Sequence, residues 1–376
     1  MEILSKGKFN YNFFIFTIII LVFLVFTINI VNSKESTKTT PTQKLGTRER
    51  YEVICWGTRA GMTLYAYSVA LSDIASKYSD WLKITVIEGS PTAHAWVSLD
   101  NPDRRKHTIA AQDWRRRWSY MKGLFGADKI KYDWSKVHLL TMINFLVDGL
   151  VTLDSKIKTF KDIKGKRVSY GELPKSDFEY QFSKLLEFEG MTLKDLASFE
   201  YMALPAAAKA LADGRLDVCI VGYSLTSINP IKFDASPFAV ELATTKDLHF
   251  IDMNPEAVRY VSTLMPAFPV WVPAGVLRGQ KKEHIGIGKY LSFICDRDLP
   301  DEVVTEIARL VYEHADMFGK YVPVGRIMSK DTMCAMNATQ DEFHPAMWKF
   351  IQKHGIRTNH ILEGIPGGDT ILRVKK

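Results

Sequence analysis

Apolar positions come in short runs that stop at glycine and give way to apolar residues at helical spacing, and the alternation repeats along the chain. Residues 53–56 (VICW) run into Gly57-Thr58-Arg59-Ala60-Gly61. Leu64, Tyr67, Leu71 and Ile74 then recur on one helical face, predicting a strand, a glycine turn and a helix. Residues 82–87 alternate as a second strand and meet Gly89-Ser90-Pro91-Thr92, where a hydroxyl and a proline suit another helix start. Residues 109–113 read as a short buried strand ending in Gln112 and Asp113, with a helix over 114–120. Residues 139–153 read as two strands interrupted near Val147-Asp148-Gly149. A new series begins with the strand 168–170 and a loop in which Ser176-Asp177 opens a helix to Leu186. Residues 206–212 are helical, and the strand 216–221 stops at Gly222-Tyr223-Ser224, again in the manner of a strand-to-helix turn. After residues 271–275 the chain returns through a strand at 290–295 and an amphipathic helix at 300–314, with Asp301 and Glu302 in its first turn.

Repeated strand–turn–helix units predict an α/β protein. The two separate series predict two lobes, residues 51–146 with 271–356 and residues 147–270, with the chain crossing twice. In such sheets ligands gather at the carboxyl ends of strands, which makes Gln112 and Asp113 candidates by position, a helix cap at Asp113 being the alternative. Helix starts present unpaired N–H groups and positive dipole ends, so the turns at 58–63 and 176–178 predict anion cradles. GTRAG has neither the GK[ST] ending of a P-loop nor the GxGxxG spelling, which disfavours nucleotide chemistry. The run WRRRW at 114–118 places Trp114 and Trp118 on one helical face, and the arginines read as a solvated basic face rather than a nucleic-acid site.

Composition adds bounds. At 376 residues, with 47% hydrophobic and 24% charged residues, the chain can bury a sizeable core. Its 49 Lys+Arg against 42 Asp+Glu give +7, which suits an anionic ligand and falls short of a nucleic-acid binder. Lys6 and Lys8 precede an apolar run over 13–28, and Val31-Asn32-Ser33 offers a cleavage point, so residues 1–33 read as a signal peptide or a retained membrane anchor. Residues 34–50 read as a flexible linker and 357–376 as a loose tail. Cys55, Cys219 and Cys295 sit in apolar runs and read as buried free thiols. Neither metal-ligand spacing nor HExxH or GxSxG appears, so no metal, no organic cofactor and no catalysis are expected.

Several motifs in order resemble one family: the turn carrying Gly57, Thr58, Gly61 and Tyr65, then IKTFKDIKGKRVSYG, ADGRLDVCIVG, VPAGVLRGQ, DRDLPDEVV and FHPAMWKFIQKHGI. Together they resemble the solute-binding subunits of TRAP transporters of the TAXI type over roughly residues 51–356. The resemblance implies a two-lobed type II periplasmic binding-protein fold with a ligand cleft, an extracytoplasmic location, a small-molecule solute and an ion-driven permease as partner. It also implies binding turns at Gly57, Thr58, Gly61 and Tyr65, at Gly89 and Ser90, at Ser176, and at Gly222, Tyr223 and Ser224, and a structural role for His344. Arg59 and Met62 stand where that family has glycines, and the loop at Ser176 reads KSD. The expected solute is anionic or zwitterionic, an amino acid or dicarboxylate, with Arg59 contacting its carboxylate and Asp177 its amino group. Alternatively, Arg59 and Asp177 pair with each other on closure, about hinges at 146–149 and 271–275. An orphan receptor presenting its ligand to a membrane sensor is the other functional reading.

Overall fold

A computed structural model describes residues 49–60, 62–90 and 94–359. The export segment, most of the linker, Gly61, Pro91, Thr92 and the tail beyond 359 lie outside the described residues. Among the described residues, no helix is long and apolar enough to cross a membrane.

The first strand, β1 (Tyr51–Trp56), pairs in parallel with β2 (Leu82–Ile87) and β3 (Thr108–Asp113). Between β1 and β2 runs α1 (Thr63–Tyr78), which buries Tyr67, Leu71 and Ile74, the stripe set by its helical spacing. A second parallel group comprises β5 (Arg167–Ser169), β6 (Ser198–Glu200) and β7 (Val218–Ile228). Two long strands join the groups: β4 (Val137–Thr152) and β11 (His284–Asp296), paired antiparallel. The ladder runs β2-β1-β3-β11-β4-β7-β5-β6, with β8 (Ile231–Ala235) on β7, β9 (His249–Ile251) on β4 and β10 (Phe268–Val272) on β11. Two buried clusters flank it. One joins Val53, Leu71, Ile109, Phe293 and Val303 and extends to Ala207 and Tyr223, and the other gathers Phe160, Tyr170, Phe182 and Val258.

Two expectations from the sequence need correction. Residues 139–153 form one strand and not two. Val147 and Asp148 are paired on both sides, to Gly288 and Ile287 in β11 and to Tyr223 and Gly222 in β7, and Gly149 pairs with Val221 in β7. Asp148 is tolerated there because the Lys289 ammonium lies 2.5 Å from its carboxylate, and Gly149 because a Cβ would sit 2.4 Å from the His284 ring. Likewise Gly222, Tyr223 and Ser224 do not turn into a helix. They continue within β7, which hairpins into β8 beyond Ile228, and the buried Tyr223 ring locks the ladder in place. The expected buried thiols are found: Cys55, Cys219 and Cys295, with Cys334, are buried and free.

The close passage of β11 past β4 yields a test. A Cβ on Gly286 would stand 2.4 Å from the Asp148 carbonyl oxygen, a backbone atom that cannot step aside. Gly286→Ala is expected to destabilise the fold by about 1–3 kcal/mol or more, measured by urea unfolding.

Candidate functional site

The densest chemistry lies where β3 ends and the helix α2 (Arg115–Met121) begins. Asp113 closes β3, and its Oδ1 accepts the backbone N–H of Arg115 at 2.9 Å, although the N-cap of the helix is Trp114 and not Asp113. Its carboxylate also takes the Arg115 side chain, with Nε 3.0 Å from both oxygens and Nη2 2.6 Å from Oδ2. Arg115 Nη1 donates to Gln181 Oε1, and Gln181 Nε2 donates to the Tyr170 hydroxyl at 2.5 Å. Gln181 belongs to α3 (Asp177–Phe188), capped by Ser176, whose Oγ accepts from Glu179 N–H. Asp177, fully buried in the first turn of α3, has its Oδ2 3.7 Å from Arg115 Nη2 and 3.7 Å from Arg116 Nη1. Beneath lies the Lys289–Asp148 pair, with the ammonium 4.2 Å from the Phe178 ring centroid and the Arg115 guanidinium 5.2 Å from the same ring.

The arginines of WRRRW are therefore not a solvated basic face. Arg115 is fully buried and Arg116 is 6% exposed, because α2 starts at the buried end of β3 and meets carboxylates from α3. Arg117 alone is half-buried, donating to the Ser135 carbonyl at 3.2 Å. Burial pulls the Arg115 pKa down, but Asp113 and Asp177 outweigh it and hold the pKa above the ordinary value. Burial raises the Asp113 pKa, and Arg115 more than reverses this. Burial lowers the Lys289 pKa in spite of Asp148.

The other candidates are placed as follows. Gly57 sits beneath the Tyr65 ring, where a Cβ would come within 3.0 Å, and Gly89 beneath Trp56, where it would come within 2.2 Å. Both glycines thus have packing reasons to be there. The Thr58 hydroxyl is buried with no hydrogen-bond partner, Met62 is exposed, Tyr65 is half-buried and Ser90 is exposed. Gln112 is buried, its amide nitrogen without a hydrogen-bond partner. Gly222 stands opposite Asp148 on the β4–β7 ladder. Arg59 does not meet Asp177. It pairs with Glu172 at 2.7 Å, both side chains exposed, while Asp177 is fully buried with its Oδ2 3.7 Å from both Arg115 and Arg116. Two surface grooves, of about 550 and 670 Å³, are lined by none of these residues.

Sequence reasoning missed Arg115, Arg116, Lys289, Asp148, Gln181 and His94. A lone Asp and a lone Lys inside two long apolar runs were the available signal for the Lys289–Asp148 pair. His94 carried none. His344 is structural as expected: Nδ1 accepts from Ala346 N–H and Nε2 donates to the Arg297 carbonyl. His284 has an acid partner that the sequence did not reveal, with Nδ1 3.4 Å from Asp252, but it is fully buried. Among the described residues no three His, Cys, Asp or Glu side chains converge as a metal site.

Residues 57–355 match the NMT1-like family, and the chain belongs to that family. No curated protein sequence matches it. Among solved structures, it is similar to a TctC solute-binding protein from Polaromonas, at 13% identity over 81% of this chain and 99% of that one, TM-score 0.45. It is also similar to MatC from Rhodopseudomonas palustris with bound malate, at 13% identity over 81% and 96%, TM-score 0.45. A third is PhnD1 from Prochlorococcus marinus in complex with methylphosphonate, at 10% identity over 82% and 97%, TM-score 0.46.

Removing one member of the buried cluster strands its partner. Asp113→Asn is expected to cost about 3–5 kcal/mol in chemical denaturation, and a loss below about 1 kcal/mol contradicts the pairing described. Acid should act through buried histidines. Burial and Arg116 depress the His94 pKa to about 3, and burial and Arg117 depress that of His138 to about 4, against the ordinary 6.5. The unfolded chain binds protons at these rings that the folded chain refuses, so stability falls as pH drops from about 6.5 toward 4. The slope is about 1.4 kcal/mol per pH unit and per ring. His94→Gln should flatten this slope in thermal scans between pH 6.5 and 4.

Proposed function

We propose that the chain is an extracytoplasmic solute-binding protein, a TRAP-transporter subunit of the TAXI type. It closes over a small anionic or zwitterionic solute and delivers it to an ion-driven permease. Residues 1–33 bring it across or hold it at the cytoplasmic membrane, and it works without metal, cofactor or catalysis. Residues 51–146 with 271–356 act as one lobe and 147–270 as the other, with β4 and β11 as the strands between them.

The observation that carries this reading is the polar junction of α2 with the start of α3. Residues 113–116 of the first lobe meet residues 177–181 of the second through charged and amide groups. An apolar junction would resist opening, whereas a polar one can separate and rehydrate, as interfaces between moving domains do. Above it, the exposed Arg59–Glu172 pair and the bond from Phe125 N–H to the Lys175 carbonyl at 3.0 Å join the same two lobes, as closing contacts would.

A thermal-shift screen of amino acids, dicarboxylates and keto acids on the full-length chain tests the reading. A ligand present at 100 times its Kd adds about 2.7 kcal/mol to the native state, which moves the midpoint by several degrees. A flat response across all three classes contradicts it. Arg59→Ala should change stability by less than about 1 kcal/mol, since the pair is exposed, yet speed ligand release measured by stopped flow.

A further inference from the structure

Arg115 and Arg116 are sequence neighbours with opposite situations. The first has its guanidinium filled by Asp113 and Gln181. Arg116 is equally enclosed, stacked 4.0 Å from the Phe125 ring centroid, but its Nε and Nη1 have no hydrogen-bond partner among the described residues. Its nearest carboxylate oxygen, Asp177 Oδ2 at 3.7 Å, is beyond hydrogen-bond distance and is itself without a hydrogen-bond partner. His94, fully buried at the end of the β2 turn and within electrostatic reach of Arg116, has neither ring nitrogen partnered. Buried donors and acceptors are normally satisfied, so an open Arg116–Asp177 pair with an unpartnered His94 within electrostatic reach of Arg116 calls for an explanation.

We propose that Arg116, Asp177 and His94 are the ligand-contacting residues. Arg116 donates to the carboxylate of the solute, Asp177 Oδ2 accepts from an ammonium on the adjacent carbon, and His94 meets a further polar group. This rests on the solute-binding reading above and deepens it. Charge balance selects the ligand class. Arg115 is matched by Asp113 and Lys289 by Asp148, which leaves Arg116 and Asp177 as one positive and one negative group facing each other. A zwitterionic α-amino acid satisfies both. A plain dicarboxylate sets its second charge against Asp177. The neutral His94 ring offers one donor and one acceptor and so adds no charge requirement. The carboxylate-binding role expected of Arg59 passes to Arg116, because Arg59 is exposed and engaged by Glu172.

Calorimetry on the full-length chain with the twenty standard amino acids, succinate, malate and pyruvate provides the test. At least one α-amino acid should bind, at least 30-fold more tightly than succinate or malate. Arg116→Gln should lose at least 30-fold in affinity for it, and Asp177→Asn at least 10-fold. Arg117→Gln, on the same helix, should stay within threefold of the parent. Should Arg116→Gln not fold by circular dichroism, Arg116→Lys and the ¹⁵N ring resonances of His94 in the parent give the same readout, the resonances moving at saturation. Binding of only dicarboxylates or pyruvate overturns this assignment and leaves the solute-binding reading standing. So does amino-acid binding unchanged in the Arg116 variant, or His94 resonances that stay in place. Absence of binding by every probe overturns both.

Discussion

Neutralising buried charge is the constraint around which this protein is arranged. Three cations, Arg115, Arg116 and Lys289, and three carboxylates, Asp113, Asp148 and Asp177, lie buried in the fold. Each isolated charge would cost several kcal/mol to bury, so the cluster persists only because its members arrive together from β3, α2, α3, β4 and β11. That requirement ties five elements far apart in sequence to one place. It does so with directional, charge-assisted bonds, which set the start of α2 against the start of α3 in one geometry through groups that water can take over when they part.

The sheet serves the same end. The ends of β3 and β5 bring Asp113 and Tyr170 to the junction, and the long antiparallel pair of β4 and β11 joins the two parallel groups. Glycines stand where those two strands are crowded. Gly149 gives way to His284, Gly286 to the Asp148 backbone and Gly288 to Phe268 and Val270. Apolar packing is continuous from Val53 and Val303 to Ala207 and Tyr223, a second cluster gathers around Phe182, and the ionic groups form a cluster of their own.

What the sequence made legible was the local grammar. The strands ending at Trp56, Ile87 and Asp113, the helix capped by Ser176 and the acidic start of the helix Asp301–His314 follow from periodicity and capping, which depend on near neighbours. The misread places depend on distant ones. Asp148 looked like a strand break until Lys289, far along the chain, neutralised it. WRRRW looked solvent-facing because its own helix offers no partner for Arg115, whose carboxylates sit just before α2 and in the first turn of α3. Gly222-Tyr223-Ser224 spelled a turn, yet pairing with β4 and β8 kept it extended. The helix start at Asp177 was legible from its own residues, but which charges would meet it was invisible to any pattern read along one dimension.

The position of β11 between β3 and β4 bears on how the chain comes to be folded. β3 ends at Asp113 and β4 at Thr152, but the strand that lies between them spans His284–Asp296. Until that late segment is available, both strands keep an open edge and the ionic groups of the junction have no Lys289. Such distant pairing makes for slow acquisition of the native state, because a large loop must close before any contact repays it. The strand that joins the two flanks in the finished protein is thus also the one whose late place in the chain sets when the junction can assemble.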